Sequence, residues 1–360
     1  MDYKEIYEKW LHHPNLSEEQ KKELSEMSEQ QIKDSFYTDV AFGTAGMRGL
    51  MGLGPNRLNI FTIRKATLGF ANYLNKIGGK SVAIAYDNRF NSKEFAFDCA
   101  RLLADNGIET YIFDSLRPTP ELSYTVRYFK CDGGIMITAS HNPKEYNGYK
   151  LYDETGCQLI PEIAGKVIDE IAKLGDLLDI APSDHVDERK IHVVNKEVDD
   201  AYYADCLSIR LRPDVDKNFK IAFSPEHGAS YHPVMDTLRL AGYDVKEVDS
   251  QSVPDPAFGA TKTPNPEEPG AYEEVLKLAK EIDAKLLLVC DPDGDRMGVG
   301  IKQGDEYIVL NGNQTGALLL EYVLSSYEDL GIKVDHPCMF NTVVTSDIGE
   351  AIARYHGCDN

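Results

Sequence analysis

The chain has 360 residues, 42% of them hydrophobic, and a formal net charge of −21 at pH 7. That length sustains two or three cores, and the acidic balance argues against nucleic acid or an anionic membrane as a partner. The seven cysteines are odd in number, far apart and without a Cys-x-x-Cys pair, which points to a reduced, cytoplasmic protein and not to a disulfide framework or zinc site.

Met1-Asp2-Tyr3-Lys4-Glu5 opens the chain without an apolar segment, so no signal peptide is expected, and no run reaches the length of a membrane span. Residues 1 to about 36 read as charged helices, with Tyr7, Trp10 and Leu11 on one apolar face and a helix start at Ser17. This arm, residues 1–40, is expected to pack on the main body. Phe42-Gly43-Thr44-Ala45-Gly46-Met47-Arg48-Gly49 follows, with glycines that permit close backbone approach and a fixed cation suited to phosphate. A dinucleotide fold is rejected here, because no apolar strand precedes the glycines.

From residue 60 helix and strand patterns alternate: helix 60–77, strand 81–86, helix 92–106, strand 108–113, helix 120–129, strand 133–137. Such alternation predicts an α/β fold with mixed, largely parallel sheets sandwiched by helices, and ligand loops at the carboxyl ends of the strands. Asp87-Asn88-Arg89 follows one strand and reads equally as a site or a helix-entry turn. Thr138-Ala139-Ser140-His141-Asn142-Pro143 follows another and continues to Lys150 as a polar loop with turn signals. Helices are expected at 161–175 and 196–211, and a boundary near 212 gives a first domain of 41–211.

A second unit, 212–306, begins with a strand at 219–223, a helix at 231–241 and a strand at 243–248. A Pro- and Gly-rich loop over 251–270 precedes a helix at 271–282. The apolar strand 286–290 empties into Asp291-Pro292-Asp293-Gly294-Asp295-Arg296. Residues 307–360 read as an incomplete third unit, with helices over 313–326 and 346–355 and a strand at 339–344.

Asp291, Asp293 and Asp295 are spaced i, i+2, i+4, which in an extended segment puts three carboxylates on one side. They repel unless a cation joins them, and oxygen ligands suit Mg²⁺ or Ca²⁺ rather than zinc. An EF-hand fails, because Arg296 and Lys302 stand where its glycine and glutamate belong. A metal beside a serine hydroxyl, with Arg48, Arg296 and Lys150 available, makes a phosphoryl-transfer set. The serine can carry the phosphoryl group. Lys150 can serve as acid or base if burial and nearby cations lower its pKa. His141 reads either as a site contact or as a structural donor.

These stretches resemble the α-D-phosphohexomutases. Thr-Ala-Ser-His-Asn-Pro at 138–143, with Tyr146-Asn147-Gly148-Tyr149-Lys150, is similar to that family's phosphoserine loop. Asp-Pro-Asp-Gly-Asp-Arg at 291–296 is similar to its magnesium loop, with Pro292 in place of the usual glycine. Phe42–Gly49 resembles its N-terminal active-site loop. The arm and Pro264-Asn265-Pro266-Glu267-Glu268 resemble the branch that holds the longer bacterial phosphoglucomutases.

The resemblance implies an Mg²⁺-dependent isomerase that interconverts glucose 1-phosphate and glucose 6-phosphate through phosphorylated Ser140 and glucose 1,6-bisphosphate. Mg²⁺ would be held by Ser140, Asp291, Asp293 and Asp295. Thr44, Arg48, Arg296 and Lys150 would bind phosphate, Arg48 and Arg296 by stabilising the transferred group, with Ser140, Arg48, Lys150 as acid/base and His141 at the reacting site as the catalytic set. Mannose, glucosamine or pentose phosphates are alternative substrates, and a phosphoseryl phosphatase or a non-catalytic sugar-phosphate binder is an alternative class. The family's sugar-selecting and distal phosphate loops find no counterpart, so the chain is expected to be a C-terminally truncated form, without the fourth domain and with weak or no turnover. The sequence leaves monomer and dimer open.

Overall fold

The computed structural model describes residues 2–43 and 46–359. Six strands form the first sheet: β1 (Met47–Leu50), β2 (Ser81–Tyr86), β3 (Glu109–Phe113), β4 (Gly133–Ile137), β5 (Tyr146–Tyr152) and β6 (Ile191–Val194), in the order β1-β5-β4-β2-β3-β6. β4, β2, β3 and β6 run parallel, and β5 and β1 add an antiparallel edge. The alternation of β2 sorts its side chains. Val82, Ile84 and Tyr86 meet the helices Ile60–Ile77, Ser92–Asp105 and Pro161–Ile171, while Ala83 and Ala85 meet Thr119–Phe129 and Lys196–Ser208. Both faces of the parallel strands are therefore covered.

The second sheet contains β7 (Lys220–Ser224), β8 (Asp244–Glu247), β9 (Leu286–Cys290), β10 (Met297–Gln303) and β11 (Glu306–Leu310), in the order β11-β10-β9-β7-β8. Again the central strands are parallel and the β10–β11 edge is antiparallel. Leu287 and Val289 pack on the helix Glu273–Ile282, and Phe223 and Leu288 join Met235 of the helix Tyr231–Leu240.

The arm folds as three helices, Tyr3–Leu11, Glu18–Ser25 and Glu29–Phe36. Ser17 caps the second through a capping box. Trp10 is buried between Phe36 and Phe61, its ring 5.6 Å from each and edge-on, so the arm shares a core with the first unit.

Three expectations need correction. The boundary set at 306/307 falls inside the second sheet, because β11 pairs with β10 along its whole length. The strand expected at 339–344 does not form. Its apolar side chains have no sheet beside them, and Phe340, Val343 and Val344 stand exposed. Residues 146–150, read as loop, are strand β5. Asn147-Gly148 carries a turn signal, but Gly148 fits between β4 and β1, where an added Cβ would lie 2.3 Å from the Thr138 carbonyl oxygen. The helices at 312–330 and 348–355 form as expected.

Candidate active site

Each sheet has one point where consecutive connections leave in opposite directions, and ligand sites lie at such points. In the first sheet it falls between β2 and β4, whose carboxyl ends lead into Asp87 and Thr138. In the second it falls between β7 and β9, leading into Pro225 and Asp291. The two points face each other, and Ser140 Oγ donates a 2.7 Å hydrogen bond to Asp291 Oδ2 across the junction.

Ser140 is 2% exposed and adopts φ +52. A non-glycine residue holds this left-handed conformation only under local restraint. Thr138 Oγ1 accepts from the Ser140 N–H at 2.8 Å. Arg48 on β1 reaches the same loop, donating to Asn142 Oδ1 at 2.8 Å. His141 Nδ1 lies 3.2 Å from Ser140 Oγ. Burial lowers the His141 pKa, and Arg296 and Arg48 lower it further, so the imidazole is neutral at pH 7.

The aspartate loop is a closed turn and not the extended segment expected. Gly294 N–H donates to the Asp291 carbonyl at 2.9 Å, with Gly294 at φ +66. Aspartate first, proline second and glycine fourth are favoured residues of such a turn, which explains how Pro292 is accommodated. The carboxylates still converge, with an oxygen of each of Asp291, Asp293 and Asp295 within 4.8 Å of the others. Asp293 Oδ2 accepts from Lys150 Nζ at 2.7 Å and from Thr119 Oγ1 at 2.9 Å. Asp293 Oδ1 is buried without a hydrogen-bond partner. An unpartnered buried carboxylate oxygen beside two further aspartates fits a hard divalent cation.

Burial pushes both Asp291 and Asp293 upward. Asp291, with Asp293 and Asp295 as neighbours, stays well above the ordinary value, whereas the Lys150 ammonium brings Asp293 below it. Lys150 itself is corrected. Burial alone would lower its pKa, as expected, but Asp293 and Asp295, the latter at 3.0 Å, raise it. In this arrangement Lys150 is an ammonium ion.

Arg296 is half-buried at the rim. Its N–H donates to Asp291 Oδ1 at 3.0 Å, and its guanidinium lies 3.5 Å from Glu267. Thr44 lies outside the described residues. Sequence reasoning passed over Thr119 and Thr138, and it left Asp87 and Arg89 undecided, although all four are buried around the junction. The signal available for Asp87 and Arg89 was their position at a strand end. Thr119 had none, because it meets Asp293 across 174 residues of chain. Beside His141 a crevice of about 680 Å³ runs between the serine loop and residues 257–268 of the second unit.

Comparison with known proteins agrees with this architecture. Models of the phosphoglucomutase/phosphomannomutase α/β/α domains I and II match residues 39–177 and 200–304. A phosphoglucomutase of Staphylococcus epidermidis is 40% identical over 337 residues, which are 92% of this chain and 61% of the relative. One from Staphylococcus saprophyticus is 38% identical, over 96% of this chain and 62% of its own. The chain thus spans about 60% of the length of the curated relatives it matches. A solved phosphoglucomutase/phosphomannomutase family protein from Burkholderia thailandensis superposes with a TM-score of 0.70 at 21% identity, covering 88% of this chain and 64% of that one. With two domain models in chain order over most of its length, and both sheets built as in the solved fold, the chain belongs to the phosphoglucomutase/phosphomannomutase family.

Proposed function

We propose that the chain carries the phosphoryl-transfer centre of a phosphoglucomutase, moving a phosphoryl group between Ser140 and a hydroxyl of glucose 1-phosphate or glucose 6-phosphate through glucose 1,6-bisphosphate. One observation carries this reading: Ser140 Oγ sits 2.7 Å from Asp291 within a three-aspartate cluster that has an unpartnered buried oxygen. The names of the Staphylococcus relatives favour glucose over mannose.

Asp291, Asp293, Asp295 and the Ser140 oxygen would hold Mg²⁺, which supplies charge neutralisation for the phosphoryl group when bound. Arg48 and Arg296 flank the serine and offer guanidinium donors to its phosphoryl oxygens, with Thr44 as a further proposed phosphate contact. When the serine is phosphorylated, the Oγ–P bond forms and the sugar O–P bond breaks. The Oγ proton passes to neutral His141 Nδ1, 3.2 Å away, and the departing sugar oxygen takes a proton from the Lys150 ammonium. The opposite transfer reverses both movements. The crevice beside His141 offers room for the sugar. All seven cysteines are unpaired, and no helix among the described residues is long and apolar enough to cross a membrane. We place the protein in the cytoplasm on the unpaired cysteines, since a reducing compartment keeps thiols free.

Intact-mass measurement after incubation with glucose 1,6-bisphosphate and Mg²⁺ tests the assignment. The wild-type chain should gain one phosphate and Ser140→Ala none. Failure of the wild-type chain to gain mass would overturn the reading.

A further inference from the structure

The serine loop is gripped from beneath by a buried ion pair to which the proposed chemistry gives no part. Asp87 and Arg89 follow β2, and both side chains are fully enclosed. The Arg89 guanidinium is spent on backbone. Nη2 donates to the carbonyls of Ser140 at 2.5 Å and Asn142 at 2.6 Å, and Nη1 to those of Pro143 at 2.8 Å and Tyr146 at 3.0 Å. Nε donates to Asp87 Oδ2 at 3.1 Å. The same carboxylate oxygen accepts from Thr138 Oγ1 at 2.7 Å, and Thr138 Oγ1 accepts from the Ser140 N–H. One ion pair therefore holds Ser140 by its carbonyl directly and by its N–H through a single hydroxyl.

The second unit closes over this clamp. Asn88 Nδ2 donates to the Asp255 carbonyl at 2.9 Å, and the Phe258 ring lies 5.3 Å from the guanidinium. Only the planar, five-donor side chain of arginine serves four carbonyls and a carboxylate together. Lysine offers three donors from one point. The held residue is the one at φ +52 that aims its hydroxyl at Asp291.

We propose that Arg89, fixed by Asp87, is the positioning residue of this centre, holding Ser140 in the left-handed conformation from which its hydroxyl reaches the acidic cluster. The proposal rests on the reading of Ser140 as phosphoryl carrier. Positional errors near 1 Å cost about a hundredfold in rate, which sets the expected effect.

The test uses the full chain and Arg89→Lys, which keeps the charge. Loading of Ser140 from glucose 1,6-bisphosphate should slow about a hundredfold. The half-saturating bisphosphate concentration and Mg²⁺ affinity by calorimetry should stay within about twofold, since a general loss of structure would move all three together. Amide hydrogen exchange over 139–146 should quicken in the same variant. Thr138→Val, which cuts the N–H arm alone, should show a smaller change in the same direction and serves if Arg89→Lys does not fold. Wild-type loading is the control. Should the wild type fail to load, the phosphoserine reading falls while exchange still tests the clamp. Loading at the wild-type rate in Arg89→Lys, or slow loading with unchanged exchange, would overturn the proposal.

Discussion

Asp293 stands between the Lys150 ammonium and the other two aspartates of the cluster. Lys150 and Thr119 occupy one of its oxygens, and the other is buried and unpartnered. Asp293→Asn replaces an anion in that position, so Mg²⁺ affinity measured by calorimetry should drop at least tenfold and Ser140 loading should fall with it. A different buried carboxyl adds a pH dependence to stability. Glu121 is fully buried with no hydrogen bond to either oxygen, since Arg117, 3.9 Å from it, commits its fork to Asp199 at 2.8 and 2.9 Å. Burial, reinforced by Asp199, pushes Glu121 from 4.5 to about 9. Below pH 4.5 folded and unfolded chains both hold this proton, and between 4.5 and 9 only the folded chain does. The contribution of Glu121 to stability therefore falls as pH rises through that window. Glu121→Gln removes this dependence and should stabilise the protein at pH 7 by up to about 3 kcal/mol, read as a gain in urea midpoint that disappears near pH 4.5. At this scale the sequence displayed Ser140, His141 and the three aspartates, because residue type and short spacing mark them. It could not display Asp87, Arg89 and Thr138 as one assembly, because the hydrogen bonds that join Asp87 to Thr138 and Arg89 to Ser140 each span 51 residues.

Among the elements, the Asp291–Gly294 turn and strand β5 set the site's dimensions. Gly228, in the loop after β7, packs against the turn, and a Cβ there would lie 2.5 Å from the Pro292 Cα and carbonyl oxygen. Both are backbone atoms that cannot swing aside. Gly228→Ala should therefore displace the aspartates and weaken Mg²⁺ binding several-fold while the helical circular dichroism signal is kept. Gly148→Ala meets the Thr138 carbonyl oxygen at 2.3 Å and the Met47 carbonyl oxygen at 2.8 Å. It should cost about 1–3 kcal/mol of stability, as overpacking does, and slow Ser140 loading, because Thr138 sits at the base of the serine loop. The parallel central strands were legible as apolar runs. β5, β10 and β11 were not, because the polar residues and glycines of β5 and β10 and the largely exposed side chains of β11 resemble loop composition. The strand expected at 339–344 failed for the converse reason: apolar residues form a strand only where a neighbouring strand takes up their backbone hydrogen bonds.

In the whole molecule, two sheets present their switch points to one another, and the arm packs on the start of the helix Ile60–Ile77 in the first unit. Phe36 is fully buried and lies edge-on to both Tyr7 and Trp10. Phe36→Ala should cost about 3–5 kcal/mol, and it should loosen the arm first. The fluorescence of Trp10, the sole tryptophan, would report this as a transition at lower denaturant than the far-ultraviolet signal. The sequence by itself determined the α/β class, the family resemblance and the two strand-end loops, because periodicity and motif are local properties of the chain. Only the tertiary structure decided that Ser140 lies against Asp291, that Lys150 is an ammonium ion and that Arg89 clamps the serine loop. Distance, burial and charge between residues far apart in the chain exist only once the two sheets face each other.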